Sequence, residues 1–332
     1  MRFSATEMFT FDLGTQNTLL MGEKKTIHAY VPSVVFVDPL GNTTFVGEDA
    51  LVHQSDANAL VSTCIHQGHI TDRQHVMTLL ESVLATVSRP AWARLVPVPC
   101  TVVVSSTFAP TDAILYKEVF RSLGFLPSFV PSSVGIAAAV PMKKKAAVQV
   151  VLDCGASKVE IAVLKAGQLN RSAVLYWGGE ALDQTIQSSL VSHLQTIFPL
   201  RDVRTLKQLL SPLQATNEAS HVLRGKHTQT GKVVSISLTS AHLVRPTQQW
   251  LSILTAWIQT FLAKLPAGVL SAVSQDGLIL SGGLSQLHGL EHALEEALQL
   301  KVTSISRPQV AAGMGVATLH AQSLLLEHRI AI

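Results

Sequence analysis

Charge and aromatic side chains are what this chain has least of: 14% of its 332 residues are charged and 5% are aromatic. Cysteine is almost as scarce. Cys64, Cys100 and Cys154 are scattered without metal-ligand spacing, which excludes a disulfide framework and suits a reducing cytoplasm. The thirteen histidines show no close metal spacing either, so they read as surface or polar-core residues. No apolar run reaches the ~20 residues a spanning helix needs; residues 251–265 come closest, with polar residues breaking the run at helical spacing. The first nine residues, MRFSATEMF, lack a signal-peptide core and form at most a weak amphipathic anchor. A net charge of +3 argues neither for nor against nucleic acid, and no nucleic-acid partner is expected.

What is abundant is apolar surface. Hydrophobic residues make up 47% of the chain, with a mean hydropathy of +0.33. A chain of this length can bury a large core and is expected to form more than one lobe. Low charge with high apolarity fits a protein that covers further surface in an assembly or against a membrane.

Residues 9–20, FTFDLGTQNTLL, organise the chain. They read as strand, tight turn and strand, a β-hairpin. Gly14 lets backbone N–H groups approach an anion, and Thr15, Gln16 and Asn17 complete a phosphate-sized turn. Asp12 would repel phosphate directly, so its chemistry would run through a metal ion or a water. Taken alone, the turn composition is equally common in ordinary hairpins. Residues 148–164, VQVVLDCGASKVEIAVL, repeat the plan, with Asp153 before Gly155, Ala156, Ser157 and Lys158. Two such hairpins about a domain apart predict a duplicated fold whose two phosphate loops face each other. Residues 277–298 add a buried strand, the Gly282-Gly283 turn followed by Leu284, and an amphipathic helix.

This triplet resembles the actin-like ATPase superfamily of sugar kinases, heat-shock chaperone ATPases and bacterial actins. The segments DLGTQNTLL, PSVVF, GEDA and the Gly68–Asp72 stretch GHITD narrow the resemblance to MreB-like bacterial actins, as does the RGK…TGK hairpin at residues 224–232. The resemblance covers nearly the whole chain. It implies an α/β, duplicated actin-like (ribonuclease H-like) fold with two lobes around a nucleotide cleft. The first lobe would span residues 1–140, with a small subdomain at about 32–68. The second would span 141–315, with a subdomain at about 180–240, and 316–332 would return to the first lobe.

The same resemblance implies ATP or ADP with Mg²⁺ as cofactors, Asp12 and Asp153 acting on Mg²⁺ through waters, and filaments as the assembled state. It assigns ribose and adenine contacts to Gly178, Gly179, Asp183, Lys207, Gly282, Gly283 and Leu284; for Asp183 and Lys207, a first-turn charge and a surface lysine are the plain alternatives. Gly313–Ala317 resembles a hinge helix, and residues 319–326 a closing one. Residues 205–213 resemble the helix bordering the adenine, and 239–265 read as a long helical region interrupted at Pro246. Residues 143–145, three lysines, read as a solvated turn.

Two departures from the family stand out. The helix after residue 130 lacks the family's water-orienting glutamate and has Pro131-Ser132-Ser133-Val134 instead, so hydrolysis would be slow or use another group. The second loop has Ala156, Ser157 and Lys158 in place of glycine, glycine and threonine; Lys158 can meet a phosphate as a point charge. A proline-marked loop at residues 88–98 carries Trp92 and Leu95 beside Arg89 and Arg94. In MreB-like proteins a loop here dips into the inner membrane face; the alternative is a Trp packed back on its lobe. The expected partners are further copies of the chain, that membrane surface, and other cytoskeletal or membrane proteins, at the cytoplasmic side. A small-molecule kinase and a non-polymerising, non-hydrolysing adaptor are the competing readings. The kinase would need a catalytic aspartate aimed at a substrate hydroxyl, and the sequence offers no convincing one.

Overall fold

The structure is a computed structural model that describes residues 8–22, 25–53, 60–87, 96–140, 147–210, 213 and 219–321. The loop carrying Trp92 and Leu95, and the lysines at 143–145, lie outside the described residues.

The chain opens with the antiparallel strands β1 (Phe9–Leu13), β2 (Asn17–Met21) and β3 (Ile27–Pro32). A small three-stranded sheet follows, from β4 (Val34–Val37), β5 (Thr43–Val46) and β6 (Leu60–Thr63), with helix α1 (Glu48–Val52) between the last two. The short hairpin β7 (Ile65–His66) and β8 (His69–Ile70) leads to α2 (Arg73–Leu84), whose first turn is capped by the Asp72 carboxylate accepting from the His75 N–H. Strand β9 (Val98–Val104), helix α3 (Pro110–Ser122), strand β10 (Phe125–Pro131) and helix α4 (Ser132–Ala139) complete this half. Its main sheet has the order β10-β9-β1-β2-β3.

The second half repeats the plan. Strands β11 (Val148–Cys154), β12 (Val159–Lys165) and β13 (Gln168–Leu175) are antiparallel. Helix α5 (Gly179–Leu194), strand β14 (Thr196–Ile197), helix α6 (Leu200–Leu209) and the hairpin β15 (Ser220–His227) and β16 (Val233–Thr239) form the intervening subdomain. Then come α7 (Ala241–Leu262), α8 (Ala267–Asp276), β17 (Leu278–Ser281), α9 (Leu290–Leu298), β18 (Val302–Ser304) and α10 (Ala311–Ala321). The sheet order is β13-β12-β11-β17-β18. In both halves three antiparallel strands are extended by two parallel ones beside the first strand, which is the duplication expected from the two aspartate hairpins.

Strand alternation decides what faces what. In β1, Phe9, Phe11 and Leu13 point to the layer of α2 and α3, where Phe11 meets the rings of Phe120 and Phe125 at 5.0 and 5.4 Å. In β11, Val150, Leu152 and Cys154 point to the core of α5 and α7, built around the fully buried Trp250. The opposite faces of the two sheets share a third core with α4 and α10: Val103 and Val130 from the first sheet, Val151, Ala162 and Leu164 from the second. Asp12 and Asp153 therefore stand on the two faces that look toward each other.

The two central helices touch through small residues. A Cβ placed on Gly315 would lie 1.6 Å from the Gly135 carbonyl oxygen, and one on Gly135 would lie 2.3 Å from that of Ala312. Only glycine allows this approach. Where the sequence suggests separate helices at 313–317 and 319–326, one helix runs through Leu319; residues from 322 lie outside the described ones. The expected break at Pro246 is absent too. Pro246 is the sixth residue of the 22-residue α7 and lies on its buried face, with Leu243, Thr247, Trp250 and Leu254. One missing N–H costs about 3 kcal/mol, which burial of that face outweighs. The Gly282-Gly283 turn enters a short 3₁₀ turn at Gly283–Gln286, and the amphipathic helix waits until Leu290. Among the described residues no helix is long and apolar enough to cross a membrane.

Candidate functional site

A cleft of about 560 Å³ separates the two halves. The β1–β2 turn forms one wall, with the Gly14 N–H donating to the Asn17 carbonyl at 3.0 Å. The β11–β12 turn forms the other, and there the Gly155 N–H donates to the Lys158 carbonyl at 2.9 Å. The same four-residue turn thus closes in both halves. They meet across the cleft: the Thr15 and Ser157 hydroxyls lie 2.7 Å apart, and the Gln67 N–H donates to Ser157 Oγ at 3.2 Å. Asp12, Gly14, Thr15, Gln16, Asn17 and Asp153 line it together with Gly155, Ala156, Ser157 and Lys158.

Burial, the charge of Asp153 and the opposing pull of Lys158 bring the Asp12 carboxyl to about 7. Burial and Glu160 raise Asp153 to about 6, against a hydrogen bond from Ser132 and the charge of Lys158. Two carboxylates held this close to protonation mark a place where positive charge is wanted. Asp12 and Asp153 line one cleft, and two carboxylates would suit an Mg²⁺ that takes its remaining ligands from waters and phosphate oxygens, with the Lys158 ammonium in the same field.

The other end of the cleft is lined by Gly179, Asp183, Lys207, Gly282, Gly283 and Leu284. Asp183 is buried, with its carboxylate 2.5 Å from Lys207 Nζ and accepting from Arg204 Nε at 2.9 Å. Lys207 Nζ also donates to the Gly179 carbonyl at 3.1 Å. Asp183 and Lys207 are thus a mutually satisfied buried pair in the cleft wall, and Arg204 is the member that sequence reading missed. Gly178 is absent from the lining. It backs the second turn, where a Cβ would come within 2.5 Å of the Ala156 carbonyl oxygen. The Gly179 and Glu180 N–H groups at the start of α5 donate to the carbonyls of Gly155 and Ala156, at 3.1 and 2.8 Å. Gly282 (φ +85°) has no room for a side chain beside Asp153, whereas a Cβ on Gly283 would meet nothing within 4 Å. Gly283 faces open cleft.

Glu160 is the other residue whose place sequence reading did not foresee. It is buried on β12 opposite Asp153 of β11, yet it accepts from the first half: from Ser105 Oγ at 2.6 Å, from the Ser106 N–H at 3.1 Å, and from the Ser106 hydroxyl. Ser106 Oγ in turn lies 2.7 Å from Ser133 Oγ. Ser132, at the head of α4, gives its hydrogen bond to Asp153. The helix head that would carry a water-orienting acid therefore carries two hydroxyls, Ser132 engaged with the Asp153 carboxylate and Ser133 with the Ser106 hydroxyl.

Two sheets of identical order, closing on a cleft between matched aspartate turns, define an actin-like protein. The fold of MreB 5 of Spiroplasma citri, crystallised with AMPPNP, superposes with a TM-score of 0.90 at 16% identity, covering 98% of this chain and 99% of that one. A chain of the MamK double helical filament gives a TM-score of 0.80 at 17% identity, covering 95% and 98%. Residues 6–327 match the family model described as MreB/Mbl protein, and the chain belongs to that family. It is 24% identical over 318 residues to the cell shape-determining protein MreB of Escherichia coli (strain K12), covering 92% of this chain and 91% of that protein. It is also 24% identical over 316 residues to Mbl of Bacillus cereus (strain ATCC 10987 / NRS 248), covering 92% and 93%. The chain is thus a member of the MreB/Mbl family with an actin-like fold, and the relatives it resembles in sequence are described as cell shape-determining proteins.

Proposed function

We propose that this chain binds an adenine nucleotide in the cleft and polymerises head to tail, and that its filaments act at the inner membrane face in cell shape or intracellular positioning. The observation that carries the reading is the pair of equivalent turns, Gly14–Asn17 and Gly155–Lys158, brought together across the cleft by Thr15 and Ser157. A phosphate chain lying between them would be held from both halves at once. A ligand gripped in that way favours the closed arrangement of the lobes by its difference in affinity for the two states, and closure presents one fixed surface to the next copy. The AMPPNP-bound and ADP-bound structures of the Spiroplasma relative and the MamK filament support the reading by analogy. Gly283 and Leu284 would border the nucleoside, and the Asp183–Lys207–Arg204 set would shape that end. Membrane contact is assigned to the loop carrying Trp92 and Leu95.

Turnover is slow in this proposal. Ser132 is committed to Asp153, and neither Ser132 nor Ser133 is a base near neutral pH. The same feature favours a second reading, a non-hydrolysing adaptor that uses nucleotide only to fix its shape. Pelleting with and without ATP, for the full chain and for Asp12→Ala, tests polymerisation. ATP-dependent sedimentation that the variant loses is the expected result; no polymer under any nucleotide condition would leave the adaptor reading. Single-turnover phosphate release separates slow turnover from none. Co-sedimentation with anionic vesicles, lost on Trp92→Ser, tests the membrane contact.

A further inference from the structure

We propose that the β7–β8 hairpin is a strap over the phosphate end of the cleft, latched by Ser157, and that its lifting sets how fast nucleotide enters and leaves. This deepens the nucleotide-binding reading and rests on it. The stem of the hairpin is fixed in the first half. Ile65 is buried in that half's core, Ile70 packs against the same core, and the Thr71 N–H donates to the Cys64 carbonyl at 3.0 Å. Only two residue pairs form the ladder, Ile65 with Ile70 and His66 with His69. Gln67 and Gly68 make the turn between them with φ of +54° and +89°, the backbone that a two-residue hairpin loop favours.

The tip reaches the other half. The Gln67 N–H donates to Ser157 Oγ at 3.2 Å, and the same oxygen lies 2.7 Å from Thr15 Oγ, so one hydroxyl joins the strap to both phosphate turns. His66 Nδ1 lies 3.8 Å from Glu180 Oε2 at the head of α5, and a Cβ built on Gly68 would lie 3.2 Å from Lys158 Nζ. On its own side the tip is held by the Tyr116 hydroxyl, which donates to the Gly68 carbonyl at 3.0 Å, and by His69 Nδ1, 2.8 Å from the Asp112 carboxylate. Gly68, Tyr116 and Ser157 all line the cleft. Elsewhere the halves are harder to part: Glu160 of the second accepts from Ser105 and Ser106 of the first, and Gly135 and Gly315 let α4 and α10 approach closely. The strap tip hangs on single hydrogen bonds and on an exposed ion pair that solvent screens, so it is the part of the enclosure that opens first. Ser157 stands where the family has glycine, and a glycine there has no hydroxyl to accept the Gln67 N–H.

A gate and a ligand contact leave different kinetic signatures. More frequent opening multiplies association and release alike and leaves affinity as it was, whereas a lost contact raises release alone. Stopped-flow association and release of a fluorescent ATP analogue with Mg²⁺ tests this on the full chain, beside hydrogen exchange of the amides at 65–70. Tyr116→Phe removes one tie on the strap and keeps the ring, which packs on Phe108 and Phe129. It is expected to raise both rates at least threefold, to keep the dissociation constant within twofold, and to speed exchange at the hairpin. Ser157→Gly is expected to speed exchange there too and to raise release at least fivefold. Circular dichroism establishes that each variant is folded; should Tyr116→Phe fail to fold, His69→Ala, which cuts the tie to Asp112, takes its place. Unchanged rates in Tyr116→Phe, a rise in its release alone, or hairpin exchange unmoved by either substitution would overturn the assignment while leaving nucleotide binding intact. No binding by the wild type at equilibrium overturns that reading and this inference with it.

Discussion

Replacing Asp12 by Asn is expected to stabilise the empty protein at pH 8 while impairing its function. Asp12 faces Asp153 and Lys158 in the cleft, and its carboxyl is raised from 3.8 to about 7. A group whose folded-state value is raised binds its proton more tightly folded than unfolded. Its contribution to stability is full below pH 3.8 and is lost as pH climbs through 7. The shift from 3.8 to about 7 corresponds to about 4 kcal/mol between the two limits. Asp12 is half-buried, so water in the cleft screens part of this, and about 2 kcal/mol is the gain to expect from the asparagine. Urea unfolding of wild type and Asp12→Asn at pH 3 and pH 8 reads it directly. The variant should be more stable at pH 8 and indistinguishable at pH 3, where the carboxyl is protonated in the folded and the unfolded chain alike. An asparagine variant that is equally or less stable at pH 8 would refute the claim that the empty cleft stores carboxylate repulsion.

Other perturbations give separable outcomes. Gly315→Ala drives a Cβ onto the Gly135 backbone and is expected to cost about 3 kcal/mol or more in urea unfolding, whereas Gly283→Ala, which meets nothing, should leave stability unchanged. Lys207→Met leaves the buried Asp183 with Arg204 alone and is expected to cost about 3 kcal/mol, part of it recovered by adding Asp183→Asn; a neutral single variant would show that the pair carries little.

What the sequence made legible is what short-range pattern encodes. The alternation in residues 9–13 and 148–154, each ended by an aspartate and a glycine turn, is enough to place both carboxylates on facing sides of two equivalent sheets. The glycines at 282 and 283 are legible as a turn, because two adjacent glycines after a buried strand leave few other choices. The bond from Ser105 and Ser106 to Glu160 was not legible, since it joins residues more than fifty positions apart in different halves. Nor was the partnership of Asp183 with Arg204 and Lys207: Asp183 and Lys207 read as ligand-facing or surface charges and Arg204 carries no motif, and only the packing of α5 against α6 joins them. Pro246 misled because a propensity rule weighs one lost hydrogen bond and does not see the tryptophan core that the helix completes.

The grip of two turns on one phosphate chain is tested most directly by a crystal structure with AMPPNP bound. The account predicts phosphates lying between residues 14–17 and 155–158, with Lys158 Nζ on a phosphate oxygen. An analogue bound outside the cleft, or touching one turn and leaving the other free, would contradict it.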